Sequence, residues 1–187
     1  MTAAFEGLGY PDALPLGFER LSALPTGAAL AGLNLENQQA LVADASLDEQ
    51  RAATDKKGEE DQALAEDLQR VESKLNLLIQ LVARLLSREG HMPPVRSLRI
   101  HANGLEWRVD DEEVQPGVGI VTLHVSRQFP QPILLPGRVL GMREDGEGRW
   151  VTFEFEGLTP AVVDLMERLV FRHHRRLVAG TRGAQRV

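Results

Sequence analysis

Seven apolar residues, Leu64, Leu68, Val71, Leu75, Leu78, Val82 and Leu85, recur at spacings of 4, 3, 4, 3, 4 and 3 in the middle of this 187-residue sequence. At 3.6 residues per helical turn they draw one seam, the a/d stripe of a coiled coil. The stretch "SLDE" predicts where the helix starts: Ser46 with Glu49 forms a capping box that satisfies orphan amides at a helix N-terminus. Gly90, beside Met92-Pro93-Pro94, predicts where it stops. A helix over 46–89 is about 64 Å long. Such a rod overhangs any domain the remaining residues could build, so its stripe is expected to be covered by further copies of the chain. An amphipathic helix packed on its own domain would not need that length. Gly58 is the weak point, costing ~1 kcal/mol relative to alanine.

The pattern also bears on the number of strands. Leu68 and Leu75 at a with Val71 at d lean toward four, while Val82 at a with Leu78 at d lean toward two. Ile79, Leu81 and Leu86 spread the apolar surface beyond the width a dimer buries. A homotetramer is favoured over a homodimer.

Composition narrows the function classes. The chain has no cysteine, so disulfides, thiol chemistry and cysteine-held metals are excluded. Residues 1–90 hold 8 Lys+Arg against 15 Asp+Glu, and residues 91–187 hold 13 against 12, so neither part has the basic excess of a nucleic-acid binder. No apolar run reaches the length of a membrane span. The start, "MTAAFEGLGYPD", has neither the basic region nor the apolar run of a secretion signal, so a cytoplasmic location is expected.

Ahead of the long helix, residues 1–45 are expected to form short helices. "ALPLGFERLSALPTG" reads as a helical turn between prolines, and "NLENQQALVADA" as a short helix capped by Asn34. Beyond it, residues 91–178 read as strands followed by a helix. "VRSLRIH" and "GLEWRVD" flank a short Asn-Gly turn, followed by "GVGIVTLHV", "PILLPGRVLGM" and "RWVTFEFEG". In the last, Val151, Phe153 and Phe155 face inward, and Trp150, Thr152 and Glu154 face out, with Trp150 the more exposed. "REDGEG" is a hairpin turn. Thr159 caps a closing helix with Pro160 at its first position, and residues 179–187 are expected to be a flexible tail. The fold class is α+β, a small antiparallel barrel with a C-terminal helix behind a long coiled-coil helix.

The order of elements over residues 95–177 resembles the PilZ domain family. The resemblance rests on the turn "RIHANG" between two strands, the strand "PGRVLGM", the aromatic strand "VTFEFEGL" and the helix after it. It implies a six-stranded barrel, of which five strands are read here, and a role in bacterial cyclic di-GMP signalling. Family members hold that nucleotide with an Arg-x-x-x-Arg segment and an (Asp/Asn)-x-Ser-x-x-Gly turn. "RLLSR" supplies Arg84 and Arg88 for the first, inside the long helix. "RIHANG" places Arg99 at the acidic or amide position, His101 at the serine and Gly104 at the glycine. A cation and an imidazole thus replace an acceptor and a hydroxyl, and only the glycine is kept, where Asn-Gly supplies positive φ cheaply.

No nucleophile, Walker or dinucleotide motif is present, so no catalytic residue is assigned. His173-His174 point about 100° apart on a helix, with no carboxylate at i+4. Together with Arg172, Arg175 and Arg176 they are read as complementing a helix C-terminus or forming a basic patch, not as metal ligands. Asp110 to Glu113 read as a solvated turn. The expected function is that of a non-enzymatic, oligomeric adaptor in cyclic di-GMP signalling. It would contact another signalling protein and bind the nucleotide weakly or not at all. A direct receptor with a non-standard site, and a structural stalk, are the alternatives.

Overall fold

Residues 9–20, expected among short helices, instead form the strand that closes the molecule. In the computed structural model, which describes residues 5, 7–54, 70, 71, 74, 75, 77, 78, 81, 92–110, 114–126, 131–146 and 148–184, strand β1 spans Gly9–Arg20. Helix α1 follows over Gly27–Thr54. Then come β2 (Val95–His101), β3 (Gly104–Val109), β4 (Gly117–Leu123), β5 (Ile133–Asp145), β6 (Gly148–Phe155) and helix α2 (Pro160–Ala184). The six strands close into an antiparallel barrel in the order β1-β2-β3-β6-β5-β4.

β1 changes partner halfway. Gly9 to Pro15 pair with β2, and Leu16 to Arg20 pair with β4. Its two prolines do not break the ladder with β2. Leu16, at an even position, sends its amide to Pro94 O at 3.0 Å, so the amides of even positions point toward β2. Pro11 and Pro15 occupy odd positions, where an amide would point away from β2. Tyr10, Leu14 and Leu16 enter the core from even positions, which is strand periodicity. The prolines and the alanine-leucine composition suggest a helical turn only when a strand partner some 80 residues away is ignored.

The core is continuous through the barrel. Leu98, Ile100, Leu105, Trp107, Val121, Leu135, Val151 and Phe153 are all buried, and Phe155 packs against them partly exposed, so the inward phase of β6 is as expected. Trp150 departs from expectation: it faces outward yet is only 4 % exposed, because arginines cover it.

The helix boundaries need three corrections. α1 begins at Gly27, which adopts φ 55°, and runs through both Asn34 and Ser46. Ser46 therefore caps nothing; its hydroxyl donates to Val42 O one turn back. Asn34 caps no helix of its own either. Its Nδ2 donates to Leu30 O and Gly157 O, and its Oδ1 accepts the Thr159 amide at 2.9 Å, tying α1 to the start of α2. Asn37 pairs both amide atoms with Leu134 of β5, at 2.6 and 2.7 Å. The affinity for backbone that makes asparagine a good cap is here spent between elements. Finally, α2 starts at Pro160 as read but continues to Ala184, so residues 179–184 are helical and not tail.

That last correction moves the basic cluster away from the helix end. Arg172 pairs with Asp44 of α1 at 2.8 Å, and His173 stacks on Tyr10 with ring centroids 4.6 Å apart. Burial, aided by Asp12 and Asp44, drives the Tyr10 hydroxyl well above its ordinary pKa, so the ring stays neutral. Among the described residues no group of three or more histidines and carboxylates could hold a metal, and no helix is long and apolar enough to cross a membrane.

Of the heptad stripe, Val71, Leu75 and Leu78 are described; they are helical and 54 %, 53 % and 58 % exposed. Leu77 and Leu81 beside them are exposed as well. Leu64, Leu68, Val82 and Leu85 lie outside the described residues, as do Ile79 and Leu86.

Candidate functional site

The β2–β3 turn and the outer barrel face behind it are where the sequence placed its candidate ligand residues. Three of the five are brought together: Arg99, His101 and Gly104. Arg84 and Arg88 lie outside the described residues.

Gly104 is kept for a different reason from the one expected. Its φ lies outside the left-handed range. A Cβ there would sit 2.2 Å from the ring of Phe5 and 2.6 Å from the carbonyl oxygen of Phe153. Phe5, itself buried, thus lies across the turn, and the glycine makes room for it. The His101 ring meets the same phenyl ring at 5.1 Å and packs where Gly9 leaves space. Its Nδ1 is buried without a hydrogen-bond partner. Burial pushes the His101 pKa below the usual histidine value; Glu106 opposes the shift and Arg99 adds to it. His101 is therefore a neutral packing residue.

Arg99 turns toward the barrel wall. The registers place Arg99 opposite Glu106, and Glu106 opposite Thr152, in one row across β2, β3 and β6. Glu106 is 4 % exposed, and it is Arg143 of β5 that satisfies it, through Nε at 2.9 Å and Nη2 at 3.1 Å. This is a two-point carboxylate–guanidinium pairing. The Arg99 guanidinium stands 4.0 Å from the same carboxylate and 4.6 Å above the Trp150 ring. Arg143 lies near that ring too, and also donates to Asp145, whose other oxygen accepts Trp150 Nε1–H at 3.1 Å. The hydrogen bond to Glu106 holds the Arg143 guanidinium above even its ordinary pKa, with Asp145 adding to the effect and desolvation opposing it.

The outer face therefore has its chemistry turned inward. Outside the network, a groove of about 770 Å³ runs between β1 and the β5–β6 hairpin, lined by Asp12, Ser97, Arg99, Arg108 and Trp150 among others. Arg108 is the more open cation there, and it stands 3.9 Å from Asp110. Asp12 is also among the lining residues, with its Oδ1 accepting the Ala13 amide at 2.7 Å, and a negative charge beside the groove disfavours phosphate.

Sequence reasoning missed Phe5, Glu106, Arg143, Asp145 and Trp150. For Glu106 and Trp150 a signal existed: an acid and a tryptophan in the outward phase of adjacent strands. For Phe5, packed onto the turn from nearly a hundred residues upstream, there was none.

A six-stranded barrel closed by a C-terminal helix, with an Asn-Gly turn between its second and third strands, defines a class. The family model of the atypical PilZ domain, a cyclic di-GMP receptor, matches residues 41–183, and the chain belongs to that family. Among solved structures it is similar to a pathogenic protein from Xanthomonas campestris, described as a tetrameric PilZ domain self-assembled via an unusual helical bundle. The TM-score is 0.68 at 24 % identity, over 93 % of this chain and 91 % of that one. No curated protein matches the sequence. The likeness shows the fold, and β1 lies ahead of the residues the family model matches.

Proposed function

We propose that this PilZ protein is a non-enzymatic adaptor of cyclic di-GMP signalling that binds the nucleotide weakly or not at all. On this reading it works in the cytoplasm as a homo-oligomer, a tetramer in preference to a dimer. It acts by contact with another signalling protein.

The observation that carries the reading is the position of Arg99. Where the family presents an acceptor for guanine, this chain presents a guanidinium committed to Glu106 and Trp150. Losing a hydrogen bond to a charged acceptor costs ~1.5–3 kcal/mol, or roughly one to two decades of affinity. Phe5 and His101 add bulk over the turn. The oligomeric part of the reading draws support from the exposed Val71, Leu75 and Leu78, and from the assembly described for the Xanthomonas relative.

The alternative, a direct receptor with a non-standard site, has one observation in its favour: the groove with Ser97, Arg99, Arg108 and Trp150. Calorimetric titration with cyclic di-GMP separates the two. The expected dissociation constant is well above micromolar, and submicromolar binding by the unmodified protein means the groove is a working site. A second arm restores the family pattern with Arg99→Asp and His101→Ser. An aspartate there would face Glu106 across the strand pair, so Glu106→Thr accompanies the two changes. A gain in affinity is expected.

A further inference from the structure

The two ends of the barrel are finished differently. Near Tyr10 and the β2–β3 turn, α2 packs over the wall, with Val162, Met166 and Leu169 buried. No described helix lines the opposite end, where β1 finishes and β2 begins.

There the inward stripes of two strands end in arginine. On β1 the inward run is Leu14, Leu16, Phe18, then Arg20; on β2, read backward, it is Ile100, Leu98, then Arg96. On β4 the inward positions Val121 and Leu123 give way to Gly119 and Gly117 toward the same end. A Cβ at Gly119 would sit 2.5 Å from the Phe18 ring, and one at Gly117 would sit 3.3 Å from Arg20 Nε. Three strands thus agree: two bring a guanidinium to the mouth and the third removes side chains to admit it. The result is a depression of about 500 Å³ lined by Arg20, Arg96, Gln115, Val114, Phe18 and Trp107. Arg20 reaches Gln115 Oε1 at 3.5 Å, a weak contact. Leu16 and Trp107 line its floor and are almost fully buried, and Phe153 beside Trp107 is fully buried, so a guest would stop at that floor.

We infer that this mouth is a binding site for a small amphiphilic anion, a carboxylate or phosphate monoester on a flat apolar body. The two guanidiniums would grip the oxygens and Phe18 and Trp107 would meet the apolar part. The site lies away from the outer-face groove and does not depend on how that groove is read. The sequence offers one rival occupant: Asp111, Glu112 and Glu113 directly precede Val114.

The test uses the full chain and three probes of one shape: 1-naphthoate, 1-naphthyl phosphate and the neutral 1-naphthalenemethanol. Binding is read by calorimetry and by the two tryptophan indole NMR signals. The charged probes are expected to shift Trp107 and not Trp150. They should bind at least about tenfold more tightly than the alcohol, and lose at least about tenfold in Arg20→Ala/Arg96→Ala. Arg168→Ala, on exposed α2 surface, should change nothing. Tighter binding of the phosphate assigns the natural ligand to phosphate esters, and tighter binding of the carboxylate assigns it to organic acids. The comparison of charged with neutral probes needs no variant, so it stands if the double variant fails to fold. Equal binding of the alcohol, or an unmoved Trp107 signal, overturns the inference. So does binding that appears only in Asp111→Asn/Glu112→Gln/Glu113→Gln, since the chain's own carboxylates would then fill the mouth.

Discussion

The outer face around Glu106 and the stripe of Val71, Leu75 and Leu78 invert the usual arrangement of a protein surface. At the first, a carboxylate is 4 % exposed under two arginines; at the second, three large aliphatic side chains are more than half exposed. Buried charge is tolerable only when well-placed partners satisfy it, and here the chain supplies those partners itself. Exposed apolar surface of that regularity is unfinished, because covering it releases ~25 cal/mol for each Å² removed from water. On the oligomeric reading proposed above, the difference separates what one protomer completes alone from what it leaves for other copies.

The sharpest way to break the comparison is to charge the stripe. Leu75→Asp with Leu78→Asp is expected to convert the assembly to monomers in size exclusion with light scattering, while the barrel's melting temperature stays put. A wild-type monomer at tens of micromolar would remove that side of the comparison. The complementary change is Glu106→Ala, which leaves Arg143 and Arg99 without their carboxylate. Breaking a buried pair costs ~3–5 kcal/mol, but the Arg143 side chain is 29 % exposed, so about 2–3 kcal/mol is expected in urea unfolding. Oligomeric mass should not change. If it falls, the two regions are coupled and the separation fails.

Smaller effects sharpen the picture of the network. Trp150→Phe keeps a ring under Arg99 and loses the hydrogen bond to Asp145, so a loss of about 1 kcal/mol is expected. The smallest effect is a pH dependence from His101, whose folded pKa lies below the unfolded value of 6.5. Between the two values the unfolded chain binds more protons, so stability is full above about pH 6.5 and declines as the pH falls below it. His101→Phe should flatten that decline in unfolding curves measured across the window; an unchanged slope would place the titrating group elsewhere.

What could be read from the sequence depended on how local its cause was. β2 to β6, the hairpin turn and the Pro160 start of α2 follow from alternation, turn chemistry and capping within a dozen residues. β1 was misread because proline and alanine argue against a strand locally, and only the register with β2 shows why Pro11 and Pro15 are harmless. Asn34 and Ser46 look like caps because their side chains seek backbone; the sequence does not say that the backbone in question belongs to another element or to an existing helix. At the site, the departure from the family pattern at Arg99 and His101 was plain in the sequence. The buried Glu106–Arg143 pair that gives it meaning was not, since it joins strands 37 residues apart.

The placement of β1 also governs how the chain reaches this state. Its partner β2 begins at Val95, and everything between Arg20 and Val95 must be bridged before those two strands meet. Contacts of such sequence separation form late, because loop-closure entropy must be overcome before the pairing compensates for it. In the barrel order, a sheet without β1 would leave β2 and β4 as bare edges of the kind that recruit foreign strands. A chain whose β1 has not docked is therefore expected to aggregate more readily than the closed barrel. Chains that lack β1, or are slow to deliver it, should need chaperone protection that the intact barrel does not.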